Sequence, residues 1–200
     1  SKTFAGDGID EAILEFKVAV FRDIAQNFNA ETFSLHMIEY PDVDSPVFLS
    51  VRVNYSTGIL VLACQETLSF SQPSRHSVSG FVISNTTERL FEIPLIGASF
   101  LLSTPPQDIL SITIQLTELQ RVKAISSSGT PGGDGVANAI IVEPNSTEDL
   151  IGNKNTEQIF DPMFESADVI LPIVEAAKID LNDGTVIINV SETVDLTPAS

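Results

Sequence analysis

A chain that repeats one pattern in one register must build the same element twice. Displacing this 200-residue sequence by 126 positions places Asp23, Asn27, Asn29, Glu31, Met37 and Asp42 on Asp149, Asn153, Asn155, Glu157, Met163 and Asp168 without a gap. Val43, Pro46, Gly58, Glu66, Thr67 and Ser74 fall likewise on Val169, Pro172, Gly184, Glu192, Thr193 and Ser200. These are 12 identities over the 52 aligned positions 23–74, and pairs such as Arg52 with Lys178, Val53 with Ile179 and Leu62 with Ile188 keep their chemistry. A fixed period marks a tandem array. One of this length exceeds a solenoid repeat and fits a whole domain.

The repeat also places boundaries. "YPDVDSPVF" and "SADVILPIV" are equivalent linkers, each with Asp-Val, then a proline, then an apolar strand pattern. Proline restricts the backbone and suits the entry to a domain. The sequence thus predicts the C-terminal part of a preceding module over 1–44, a complete module over 45–170 and the N-terminal hairpin of a following module over 171–200. The sequence then reads as a window on a longer array, with further polypeptide covering 171–200.

Within the complete module, apolar alternation over 47–54 and 59–66 around "STG" predicts a β-hairpin with Gly58 at positive φ. "SVSGFVIS", "RLFEIPLIG", "ASFLLS", "DILSITIQL" and "VANAIIVE" read as further strands separated by turn residues. "TELQRVKAI" (117–125) is the one helical pattern. Thr117 can cap it, and Leu119, Val122 and Ile125 share a face. "SSSGTPGGDG" (126–135) reads as a flexible loop. Its glycines precede no Lys-Ser/Thr and no helix, which speaks against a phosphate cradle. Many short strands at this spacing predict an all-β fold, a β-sandwich with one short helix per module.

"VNYSTGILVLACQETL" and "IDLNDGTVIINVSETVDLT" resemble the strand-turn-strand signature of tandem Ig-like modules in very large surface proteins of marine microalgae. Similar modules occur in bacterial surface-layer and adhesin proteins. Those families continue with a Leu-rich short helix, a loop, a strand and a D-x-x-G-N turn. The corresponding segments are "TELQRVKAI", "VANAIIVE" and "DLIGN" (149–153), while the earlier copy "DIAQN" (23–27) has Gln26 in place of the usual glycine. The resemblance implies Ig-like modules in an extracellular, repetitive, non-enzymatic protein, and no catalytic residue carries over.

Charge narrows the partners. The formal net charge is −17, which opposes binding to nucleic acid, whose phosphates need Lys and Arg. It equally opposes an anionic membrane surface. No apolar run approaches the roughly 18 residues of a membrane span. Apolar residues make up 43% of the chain, enough to expect a folded core. Cys64 is the single cysteine, so no intrachain disulfide can form, and its place in "ILVLAC" predicts a buried, inert thiol.

The remaining candidates are polar. His36 and His76 lack repeat equivalents, and two histidines alone make no usual zinc site, so packing or surface roles are expected. Hydrolase, metalloprotease and dinucleotide motifs are absent. Four Asn-x-Ser/Thr sequons mark candidate glycosylation sites: Asn85 and Asn145 in turns, Asn54 and Asn189 at or within strands. Calcium favours several oxygen ligands, so Asp42, Asp168, Asp149 and Asp23, which repeat as two pairs, are candidate ligands at module junctions. The competing reading is that Asp23 and Asp149 shape turns. The function expected is a structural repeat of an extracellular filament or cell-surface coat, such as a flagellar hair or sheath fibre. Its partners would be copies of itself or other surface proteins. The alternative is an adhesin that binds glycans or another surface through its loops, although the loop 126–135 carries no aromatic residue.

Overall fold

The computed structural model describes residues 13–38 and 40–196. The chain divides between Asp44 and Ser45 into two compact units. In the first unit, β1 (Ile13–Phe16) and β2 (Thr32–His36) pair antiparallel, Phe16 opposite Thr32.

The second unit begins with the predicted hairpin, β3 (Phe48–Asn54) and β4 (Ile59–Leu68). Its turn needs a left-handed residue, and Gly58 supplies one at φ +65°. Two 3-10 turns, Pro73–Arg75 and Val78–Gly80, lead into β5 (Phe81–Ser84). Then come β6 (Glu92–Pro94), β7 (Ser99–Phe100), β8 (Ile109–Gln115), α1 (Glu118–Ser126) and β9 (Ala139–Val142). Short strands β10 (Gln158–Phe160) and β11 (Phe164–Ser166) precede a second hairpin, β12 (Val174–Ile179) with β13 (Val186–Val190). The regular elements among the described residues are therefore mostly β-strands, and among these residues no helix is long and apolar enough to cross a membrane.

Two sheets build the core. One runs β11-β3-β4-β8-β7 and the other β10-β9-β5-β6. Alternation along β3 and β4 turns Phe48, Val51, Val53, Leu60, Leu62 and Cys64 inward, as the pleat requires. They share one cluster with Phe81 and Ile83 of β5, Ile140 and Val142 of β9, and Ile112 and Ile114 of β8. The Phe48 and Phe81 rings meet edge-on at 6.3 Å across the two sheets. All pairings are antiparallel except β11 on β3, where Phe164, Glu165 and Ser166 lie opposite Arg52, Val53 and Asn54.

The sequence repeat has a backbone counterpart. In the first hairpin, Phe48, Ser50, Val51, Arg52 and Val53 face Cys64, Ala63, Leu62, Val61 and Leu60. In the second, Val174, Ala176, Ala177, Lys178 and Ile179 face Val190, Asn189, Ile188, Ile187 and Val186. The register is the same after the 126-residue displacement, down to the irregularity after the first pair. Gly184 takes the place of Gly58, with φ +77°.

The turn before each linker repeats as closely. Asn155 Nδ2 donates to Glu143 O and Thr156 O while its Oδ1 accepts from Thr147 N. Asn29 Nδ2 donates to Lys17 O and Ala30 O while its Oδ1 accepts from Phe21 N. Residues 145 and 152 are left-handed, Asn and Gly, and their counterparts Ala19 and Gln26 are left-handed too. The side-chain bonds of Asn29, not a glycine, organise that backbone.

Three expectations need correction. "ASFLLS" contributes only two strand residues, and Leu101 is exposed. The helix is capped by Thr117 as expected, but its buried residues are Gln120, Arg121 and Ala124, while Leu119 is exposed. Polar partners described below pull that face inward. The segment 126–135 is also no free loop. Ser127 and Ser128 are buried, Ser128 Oγ donates to Ile125 O, and Gly135 N donates to Ser128 O. Gly133 sits where a Cβ would come within 2.1 Å of Ser128 O, so a side chain there cannot be accommodated without moving backbone.

Leu62 is fully buried, whereas its counterpart Ile188 is 58% exposed. Leu62→Ala should therefore lower the unfolding free energy by about 2–5 kcal/mol, and Ile188→Ala by no more than about 0.5 kcal/mol. Urea unfolding of the two variants checks this, and equal losses would contradict the burial pattern.

Candidate functional site

Arg121 bonds Glu118, Asp168, Glu192 and Tyr55, and its position follows from the start of α1. Thr117 and Gln120 form a reciprocal capping box, Thr117 N donating to Gln120 Oε1 and Gln120 N to Thr117 Oγ1. Gln120 Nε2 also donates to Pro94 O and Ile96 O, which ties the first helical turn to the end of β6. Glu118, one turn before Arg121, lies where an acidic side chain complements the helix dipole.

The guanidinium collects three carboxylates. Its Nε and Nη2 donate to the two oxygens of Glu118 at 2.7 and 2.8 Å, a forked pairing suited to arginine. Nη1 donates to Asp168 and to Tyr55 O, and Nη2 reaches Glu192 Oε2 at 3.1 Å. Glu118 Oε1 additionally accepts from Thr193 N at 3.0 Å. The helix thus holds the linker through Asp168 and the end of the second hairpin through Glu192 and Thr193. Two open clefts of about 280 and 390 Å³ flank the junction, and Arg121 and Glu192 line both.

One cation faces three acids here. Arg121 holds the Glu118 carboxyl down to about 2, and Glu118 in turn raises the guanidinium. Burial works against the Asp168 carboxylate, but bonds from Ile170 N and Arg121 outweigh it and its pKa is lowered. Removing the guanidinium would leave three carboxylates mutually repelling in a partly desolvated place.

A second polar network anchors the loop after α1. Tyr55 OH donates to Glu165 Oε1 at 2.7 Å and accepts from Asn138 Nδ2 at 3.0 Å. Asn138 N and Gly129 N donate to the two oxygens of Glu165, and Ser127 Oγ donates to Asn138 Oδ1. Burial, followed by the neighbouring Glu165, pushes the Tyr55 hydroxyl pKa up.

The candidate calcium residues make the following hydrogen bonds. Asp149 Oδ1 accepts from Ile151, Gly152 and Asn153 N–H groups, and Oδ2 accepts from Asn153 Nδ2. Asp23 treats Asn27 the same way, taking its backbone N–H on Oδ1 and its side chain on Oδ2. Both aspartates shape turns. Asp42 Oδ1 accepts from Asp44 N in its linker, and Asp168 belongs to Arg121.

Among the sequons, Asn145 is exposed at the left-handed position of its turn. Asn54 and Asn189 are exposed, and Asn85 is half-buried just after β5. His76 is a buried packing residue, stacked on Phe70 at 3.8 Å, with Nδ1 2.8 Å from Thr147 Oγ1. Burial lowers its pKa. Cys64 is buried as expected, its thiol on Val47 O, and burial raises its pKa. His36 lies in the exposed β2 strand.

Sequence reasoning missed Arg121, Glu118 and the Tyr55 network. Glu192 was visible as an identity with Glu66, but nothing local indicated what it would bind. A scan against protein-family models found no match, and searches of the curated proteins and of the solved structures found none either.

Two outcomes follow from the junction. Arg121→Leu should destabilise the second unit by about 1–3 kcal/mol, the cost of leaving the half-buried Asp168 and Glu192 carboxylates without their charged partner, with faster amide exchange at residues 191–193. Acid should act in the same place. A carboxyl held at about 2 when folded and about 4.3 when unfolded stabilises fully above the higher value and loses its contribution as pH falls toward the lower one. The urea midpoint should therefore fall between those values, and less steeply in Arg121→Leu. Parallel pH profiles for the two proteins would show that Glu118 is not held down by Arg121.

Proposed function

We propose that this chain is a non-enzymatic structural segment of an extracellular filament or cell-surface coat, assembled from tandem Ig-like β-sandwich modules. The observation that carries the reading is the recurrence, 126 residues apart, of one hairpin register and one turn network. Side-chain identity has drifted at most of these positions, while the backbone bonding has not. That is what a repeated load-carrying unit requires. The Arg121 junction fits the same purpose, because it fastens the linker and the next hairpin to the body through directional, charge-assisted bonds.

In this reading the resemblance to microalgal surface modules describes the assembly, and the partners are copies of the chain or other surface proteins. The acidic composition keeps a dense array soluble and repels nucleic acid. Arg121 offsets part of the charge of Glu118, Asp168 and Glu192 at the junction. Sugars belong on the turns, at the exposed Asn145 and at the half-buried Asn85.

Antibody labelling of native cells under the electron microscope tests the proposal. Label along extracellular fibres or a surface coat is expected, whereas label confined to the cytosol would refute it. Glycopeptide mapping of the same material should find sugar on Asn145 or Asn85, and unmodified asparagine at all four sequons would count against a secreted eukaryotic glycoprotein.

A further inference from the structure

We infer that the inner face of β12–β13 is an acceptor surface for an apolar antiparallel β-sheet of the kind formed by β5 and β9. The inference rests on the modular reading above and adds to it the surface and the chemistry of what covers it. Identical register means that side chains of the second hairpin project as their counterparts do in the first. The residues matching the inward set of β3 and β4 are Val174, Ala177, Ile179, Val186, Ile188 and Val190, and every one is apolar. On the opposite face stand Ala176, Lys178, Thr185, Ile187 and Asn189, so that face mixes polar and apolar residues while the inward set is apolar throughout.

The two hairpins differ in what covers them. Phe48, Val53, Leu60 and Leu62 are no more than 3% exposed, while Val174, Ile179, Val186 and Ile188 are 56–63% exposed. The first set is covered by Phe81, Ile83, Ile140 and Val142, the inward residues of β5 and β9. A two-stranded hairpin alone is marginal in water and needs a further layer on its apolar face. The register therefore specifies the occupant: two paired strands with bulky apolar residues at alternate positions, crossing this face as β5 and β9 cross β3 and β4. Val174 and Ala177 are smaller than Phe48 and Val51, so the best-fitting sheet is bulkier opposite them.

The test supplies such a sheet. Ser74 falls on Ser200 in the repeat, so a second copy of residues 75–170 is fused directly after Ser200 of the full chain. Amide exchange at 186–190 should slow by about tenfold or more in the fusion, a threshold set low because the copied sheet leaves a gap at Val174. Ile188→Asp should abolish that gain. A cysteine pair, V174C with F81C in the appended copy, should be bridged by a short bismaleimide, whose reach suits facing sheets about 10 Å apart, as expected from the meeting of Phe48 with Phe81.

Unchanged exchange together with no cross-link would overturn the inference. So would concentration-dependent assembly of the unfused chain that Ile188→Asp abolishes, because the occupant would then be a second copy of the chain itself. A failed fusion beside labelled extracellular fibres would sink the acceptor surface alone. A successful fusion without such fibres would sink the filament reading alone.

Discussion

Burial of the inner face of β3 and β4 is the constraint on which the second unit depends. A hairpin forms locally, but its inward side chains can leave water only when strands distant in sequence close over them. Phe48, Leu60 and Leu62 are covered by Phe81, Ile83, Ile140 and Val142, and each such side chain contributes about 1.5–3 kcal/mol when fully buried. The turn at Gly58 fixes which residues face inward, because a slip of one position would turn every apolar side chain of the hairpin to solvent. Helix, loop and linkers are arranged around the closed pair of sheets.

The polar networks do a different task. Apolar contact is non-directional and tolerates sliding, whereas a guanidinium bonded to Glu118, Asp168 and Glu192 fixes its neighbours in distance and angle. Such clusters contribute less to net stability than their Coulomb attraction suggests, because each charge loses hydration. At this junction the result is geometric. The linker and the second hairpin are held to one edge of the helix, and the turns on Asp23 and Asp149 shape the approach to each linker by the same bonds.

Much of this was legible in the sequence where the determinant is local. Alternation around Gly58 specified β3 and β4, and Thr117 specified the start of α1. The Asp-x-x-x-Asn pairs signalled turns even where Gln26 replaces glycine. Determinants that depend on distant partners were not legible. The apolar stripe of Leu119, Val122 and Ile125 marked the inward face only in part: Ile125 packs on the core, but Leu119 is exposed and Arg121 is drawn in by carboxylates 47 and 71 residues away. Residues 126–135 read as flexible, since nothing nearby reveals that Glu165 will take up Gly129 N. Strand β11 is too short to show periodicity, and its partner lies more than a hundred residues earlier.

That parallel pairing of β11 with β3 has a mechanical consequence. The chain enters the two-sheet body at the start of β3 and leaves it at the end of β11, and the two strands run side by side in one direction. A pull applied to entry and exit therefore drags the strands past each other lengthwise. Their ladder, extended by Tyr55 N on Ser166 O and Val169 N on Ser56 Oγ, is loaded in shear. Many bonds must then yield together, where an antiparallel pair pulled from one end would unzip them singly. The entry and exit strands thus form a clamp across the line of force, and the rest of the core stays unloaded until that clamp gives way.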